Sequence, residues 1–265
     1  MKRVAFIIAP FLLIQGCGDE VSVRDVCDTT PGMCNDLNTD GHCNVERSQV
    51  IVARHYEKAQ PSDENKYTLL NNFEQYSRCI YRAAGIEHIK LKDKKTSRVN
   101  GYLTSLAEIK RLSNETVNST YPKLLYYHWS RNGSEEAMEK LLQQEKQPEM
   151  QTPEMQFLLA TYFIKFDLDK TLDLLYLALQ LNPAGQTVNT EIYTSLVNIF
   201  YKQKNYKHAY IWGLIAQESG VKKIDLAPLE NLLQGEGKSL DALQDLADKT
   251  YDEINNGEFI SPRGF

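Results

Sequence analysis

The chain has 265 residues, 25% charged and 42% hydrophobic, enough for one large domain or two small ones. Its 30 basic and 35 acidic side chains give a formal charge of −5, and nothing in that balance suggests a nucleic-acid binder, which needs a basic face. Glycine (14) and proline (9) are sparse while Leu, Lys, Glu, Gln and Tyr are common, a balance that favours helices over sheet.

The chain opens MKRVAFIIAPFLLIQGCGDE. Lys2 and Arg3 form a basic start, and the apolar run Val4 to Ile14 is too short to span a bilayer. Together they fit a secretory signal peptide. The run Ile14-Gln15-Gly16-Cys17 resembles the lipobox of bacterial lipoproteins, departing from the commonest pattern at Ile14 and Gln15. That resemblance implies removal of residues 1–16 and attachment of acyl chains to Cys17, the only cofactor-like group expected. Three acyl chains exceed the two signals needed for stable anchoring. Gly18, rather than an aspartate, implies delivery to the outer membrane, facing the periplasm. The alternative is an ordinary signal peptide cut elsewhere, with Cys17 in a disulfide.

Cys27, Cys34, Cys43 and Cys79 remain, an even number that suggests two disulfides in an oxidising compartment. Three connectivities are open. Three of the four lie within residues 27–43, so full pairing sends one bridge to Cys79. Between them, Asp36, Asn38, Asp40 and Gly41 match the first half of a calcium loop. Position 12 of such a loop should be a bidentate glutamate, and here it is Arg47. The favoured reading is an Asx-rich turn leading into a helix at Val45, with Asn44 as its N-cap. Residues 17–44 therefore read as a lipidated, irregular, cysteine-rich segment.

Helical periodicity follows. Residues 45–59, 62–84 and 96–112 read as N-terminal helices, the second capped by Ser62, with a basic run Lys90 to Lys95 as a solvated loop before the third. From residue 118 a repeat emerges in three segments, 118–151, 152–185 and 190–223. The first two starts lie 34 residues apart, and a four-residue insertion, Gln186 to Asn189, precedes the third. Repeat position 7 holds Leu124, Leu158 and Leu196; position 11 holds His128, Tyr162 and Phe200. Position 20 holds Ala137, Thr171 and Ala209, where small residues let helices approach. The pattern resembles the tetratricopeptide repeat. It implies an all-α array of helical hairpins, an α-solenoid. Residues 224–254 read as capping helices, with Ser239 as an N-cap, and residues 255–265 as a polar, mobile tail.

No catalytic motif is present. His42, His55, His88, His128 and His208 form no metal-spaced pair, and there is neither a nucleophile elbow nor a phosphate-binding glycine loop. The expectation is therefore a binding protein, not an enzyme. In the tetratricopeptide family, positions 2, 5, 9, 12 and 13 of the first helix tend to line a concave surface. Carried over, these give Tyr126, Trp129 and Ser130; Gln156, Phe163 and Ile164; and Thr194, Asn198, Tyr201 and Lys202. Aromatics mixed with amides and a cation suit a protein or peptide partner in the envelope. Burial of Trp129, Phe163 and Ile164 against the N-terminal helices is the competing reading. The whole chain also resembles a family of Gram-negative lipoproteins of unassigned function with a cysteine-rich start. The expected role is an envelope scaffold or adaptor; the alternative is an envelope enzyme or a glycan-binding wall protein.

Overall fold

The computed structural model describes residues 21–86 and 92–262. The signal segment, Cys17 and His88 lie outside the described residues. The described chain is all-helical and divides into two compact units at Asn118 and Ser119.

The first unit contains α1 (Val23–Thr29), α2 (Asn44–Ala59), α3 (Asp63–Ala84) and α4 (Lys92–Glu115). α2 packs on α3, and α3 on α4. Leu69, Leu70, Phe73, Tyr76 and Ile80 recur at helical spacing along α3 and are all fully buried, with Val50 and Ile51 of α2 and Leu112 of α4. Ser62 caps α3 by accepting the Asn65 N–H at 3.2 Å.

The second unit is an array of helical hairpins. α5 (Pro122–Asn132) pairs with α6 (Glu135–Gln143), α7 (Pro153–Phe163) with α8 (Leu168–Gln180), and α9 (Thr190–Lys202) with α10 (Tyr206–Glu218). Contacts of α5 with α7 and of α8 with α9 join successive hairpins. α11 (Ala227–Gly235) and α12 (Leu240–Asn255) close on α10. Side-chain caps start these helices: Ser134, Thr152, Asp167, Asn189, Asn205 and Ser239 each accept a backbone N–H of the first turn. At the first hairpin turn Gly133 adopts φ 67, a left-handed stop that a side chain would strain. Among the described residues no helix is long and apolar enough to cross a membrane.

Four expectations need correction. The segment before residue 44 contains α1, started by Ser22, which accepts the Asp25 N–H at 3.1 Å. Asn44 is not the cap of α2; the helix begins at Asn44 itself, and the capping position falls on Cys43 at φ 59 with no side-chain bond. The disulfide of Cys43 fixes that turn in place of a capping oxygen. α4 starts four residues before Thr96, so Lys92 to Lys95 form its first turn instead of a loop. The tail is docked: Phe259 is buried between the rings of Tyr176 and Trp212, and the Ser261 N–H donates to Gln180 Oε1 at 2.9 Å.

Candidate functional site

The candidate binding face is built on α5, α7 and α9. Tyr126 and Trp129 project from α5 with ring centroids 5.5 Å apart. The Thr161 hydroxyl donates to the Leu158 carbonyl at 2.7 Å, so the Tyr126 hydroxyl 2.8 Å away must donate to Thr161. Trp129 meets Tyr162 of α7 edge-on at 5.2 Å. Tyr162 in turn meets Phe163 at 5.0 Å and Phe166 at 4.9 Å, both edge-to-face. The result is a continuous aromatic row across the first two hairpins, of the geometry that ring quadrupoles favour. Trp129 and Phe163 are half-buried against the core of their own unit, while Phe166 in the α7–α8 turn is 62% exposed. Ile164 stands beside it, partly open. Lys170, which pairs with Glu145, lies 6.0 Å from the Phe163 ring centre.

The other predicted residues fall elsewhere. Gln156 is buried, its side-chain amide donating to the Met150 carbonyl at 2.8 Å, so it braces the turn before α7 and presents no surface. Ser130 and Thr194 donate back to the carbonyls of Tyr127 and Glu191. Asn198 and Lys202 are exposed on α9, and Tyr201, 51% exposed, packs against Tyr206 at 5.8 Å. Tyr162 and Phe166 were not among the predicted residues. Tyr162 occupies a packing position of the repeat, and Phe166 stands in the turn between the two helices of the second hairpin. The first-helix face also holds a cleft of about 550 Å³ between α7 and α9, walled by Phe157, Leu158 and Ile192 and rimmed by Glu154 and Glu191. Glu154 pairs with Lys123 at 2.5 Å.

In the first unit the loop Asp36 to Asp40 is an electrostatic knot. Arg54 grips Asp36 with two parallel bonds, 2.7 and 2.8 Å. Asn38 is buried; its side-chain amide donates to Asp40 Oδ1 at 2.7 Å and its Oδ1 accepts from Ser97 at 3.1 Å. Asp40 Oδ2 accepts from Arg98 Nε at 2.6 Å. Arg98 is fully buried and also donates to the Ala83 carbonyl at 3.0 Å. The positive charge that a calcium ion would bring to Asp36, Asn38 and Asp40 is thus supplied by Arg54 and Arg98. Burial raises the Asp40 pKa, but hydrogen bonds from Asn38, the His42 N–H and Arg98 outweigh it and hold the carboxyl well below the usual carboxylate range. Tyr76 completes the knot by accepting the Asn38 N–H at 2.8 Å, and burial pushes its phenol pKa up.

Two disulfides hold this region: Cys27–Cys34 closes α1 onto the following turn, and Cys43–Cys79 ties the loop to α3. Glu46 lies within 4.8 Å of the sulfurs of Cys43 and Cys79, but both are spent in the S–S bond, so the trio offers no thiolate to a metal.

The family model described as protein of unknown function (DUF2989) matches residues 14–214, and the chain belongs to that family. No curated protein and no solved structure matches the chain.

Proposed function

We propose that this member of the DUF2989 family is a lipid-anchored envelope protein that works as an adaptor for another envelope protein or peptide. The anchor is Cys17, freed by cleavage after Gly16 and acylated, and the body faces the periplasm from the outer membrane. Paired cysteines at 27, 34, 43 and 79 suit that compartment. The hairpin array is read as three tetratricopeptide-like repeats. Supporting this, Leu124 and Leu196 at position 7, Leu141 and Leu175 at position 24, and Ala137, Thr171 and Ala209 at position 20 are all buried.

The observation that carries the adaptor reading is the aromatic row from Tyr126 to Phe166, half-buried at Trp129 and open at Phe166. Rigid aromatic surface of this kind is what interfaces use as anchors. Lys202 and Tyr201 add a cation and a further ring on the next hairpin. Photo-crosslinking in cells from positions 129, 166 and 201 tests the reading. One dominant protein partner, weakened when Phe166 and Lys202 become alanine, is the expected result. Crosslinks to no protein from any of the three positions overturn it.

A further inference from the structure

Helix α4 has one buried face, marked by Arg98, Ser105 and Leu112, and a second, apolar face that no described residue covers. Val99, Leu103 and Leu106 follow one another at spacings of four and three, so they form one line along the helix, and they are 36%, 56% and 43% exposed. Tyr102 stands beside them and meets Tyr81 of α3 with ring centres 5.3 Å apart; Tyr81 is 63% exposed. Two helices of the first unit therefore build one open apolar patch, and patches of that kind mark contact with a partner or a membrane.

The charges on the same line are positive. Lys95 lies one turn before Val99 and Lys110 one turn after Leu106, and both are exposed. From one lysine to the other the line runs about 22 Å. The three acids of α4 are engaged elsewhere: Asp93 lines a cleft with Asn35, Asp36 and Leu37, while Glu108 and Glu115 pair with Arg111, which also meets Glu57 of α2 at 3.9 Å. This balance argues against a second copy of the chain as the occupant. Antiparallel pairing that sets Val99 against Leu106 also sets Lys95 against Lys110, and parallel pairing sets each lysine against itself; like charges face each other either way.

We infer that this face docks on an anionic lipid bilayer, with Val99, Leu103 and Leu106 below the headgroups, the two tyrosines at headgroup level, and Lys95 and Lys110 against lipid phosphates. An apolar centre with lysines at its edges and amphipathic rings beside it is the pattern of interfacial helices. The inference rests on the lipid-anchored reading above, which supplies the tether. Five peptide steps separate Cys17 from Ser22, the cap of α1, a reach of at most about 18 Å. A unit of this length has a radius of gyration of about 13 Å, so its body is wider than its tether is long and it stays beside the bilayer. The chain is acidic overall, so the contact depends on this local balance of charge, and salt should weaken it.

The test uses the mature chain from residue 17 with Cys17→Ser, so that no acyl chain is present, in sedimentation with vesicles of phosphatidylethanolamine containing one quarter phosphatidylglycerol. The parent should bind. Leu103→Gln with Leu106→Gln should weaken binding by at least about tenfold, and so should Lys95→Glu with Lys110→Glu. All four positions are exposed and glutamine is a good helix former, so the glutamine pair should melt with the parent. No binding by the parent, or equal binding by parent and glutamine pair, overturns the inference. So does a dimer formed without vesicles that the glutamine pair dissociates, or a protein partner crosslinked in cells from position 103. The mass of the protein taken from cells judges the anchor separately. An acylated Cys17 with no vesicle binding defeats the docking face and leaves the anchored adaptor standing; an unmodified Cys17 defeats both.

Discussion

Phe259→Ala should unfold the second unit more easily, although residue 259 lies in a polar C-terminal stretch. The ring is 6% exposed and stands 6.3 Å from Tyr176 of α8 and 6.4 Å from Trp212 of α10. Removing a buried phenylalanine loses its transfer free energy and leaves a gap, together about 3–5 kcal/mol in a closed core. Here the flanking tail can move, so collapse of the site brings the expected loss towards about 2–4 kcal/mol. At about 2–4 °C per kcal/mol for a unit of this size, the melting temperature should fall by roughly 4–16 °C. The assay is urea denaturation followed by tryptophan fluorescence, since Trp212 reports on the same contact. The midpoint should fall with the slope unchanged. Phe259→Leu should restore most of the loss. An unfolding free energy within about 0.5 kcal/mol of the parent's, with Trp212 emission unaltered, would show that the tail is not docked and would refute the argument.

Three further outcomes follow from the first unit. Replacing both Cys43 and Cys79 by alanine opens a 36-residue span and should cost about 4 kcal/mol, against about 2 kcal/mol for the 7-residue span of Cys27 and Cys34; paired denaturation curves give the ranking, and equal losses would contradict the loop-closure account. Gly101→Ala in α4 should destabilise, because a Cβ there would overlap the buried Tyr76 hydroxyl and approach the Asn38 amide at 3.1 Å; overpacking of about 1–3 kcal/mol outweighs the ~1 kcal/mol gain in helix propensity, and a higher melting temperature would refute this. Asp40 titrates lower in the folded chain than the 3.8 of an unfolded aspartate, so the unfolded state takes up its proton first. Its contribution is whole above about pH 4 and is lost as pH falls through the depressed native value, so the stability difference between parent and Asp40→Asn should narrow steadily from about pH 5 downwards. A difference that stays constant over that range would remove the ion pair with Arg98 from the account.

Local signals explain why so much of the fold was legible. Ser62 and Ser239 each stand just before an apolar period of 3.6, and each accepts an N–H of the first turn. The apolar stripe of α3 is written in its own sequence. What was hidden depends on partners far along the chain. Arg98 is a charged residue in a polar stretch, and nothing near it foretells full burial; its counter-charge, Asp40, lies 58 residues away. Phe259 stands in a short, mostly polar stretch with no helical period, and its pocket is made by Tyr176 and Trp212. Gln156 was placed on the surface by its position in the repeat, yet the Met150 carbonyl satisfies its amide inside. Tyr126, Trp129 and Phe163, named from the repeat register, stand on neighbouring hairpins, but Phe166 occupies a turn where the register carries no expectation.

The break in the repeat is as informative as the repeat. Four extra residues between the second and third hairpins could have formed a slack loop, since lengthening a surface loop has little entropic consequence. Instead Val188 is buried, and Gly185 and Asn182 anchor the start of the loop through hydrogen bonds to the Asn255 and Gln186 carbonyls. The same residues, Gln186 and Thr187, wall the cleft between α7 and α9 on one side and a smaller space lined by Ser219, Tyr251 and Asn255 on the other. A strictly periodic array packs each hairpin on the next and closes such spaces. An insertion with a buried valine and a hydrogen bond to the last residue of α12 is part of the packing of this unit, not slack length tolerated on its surface.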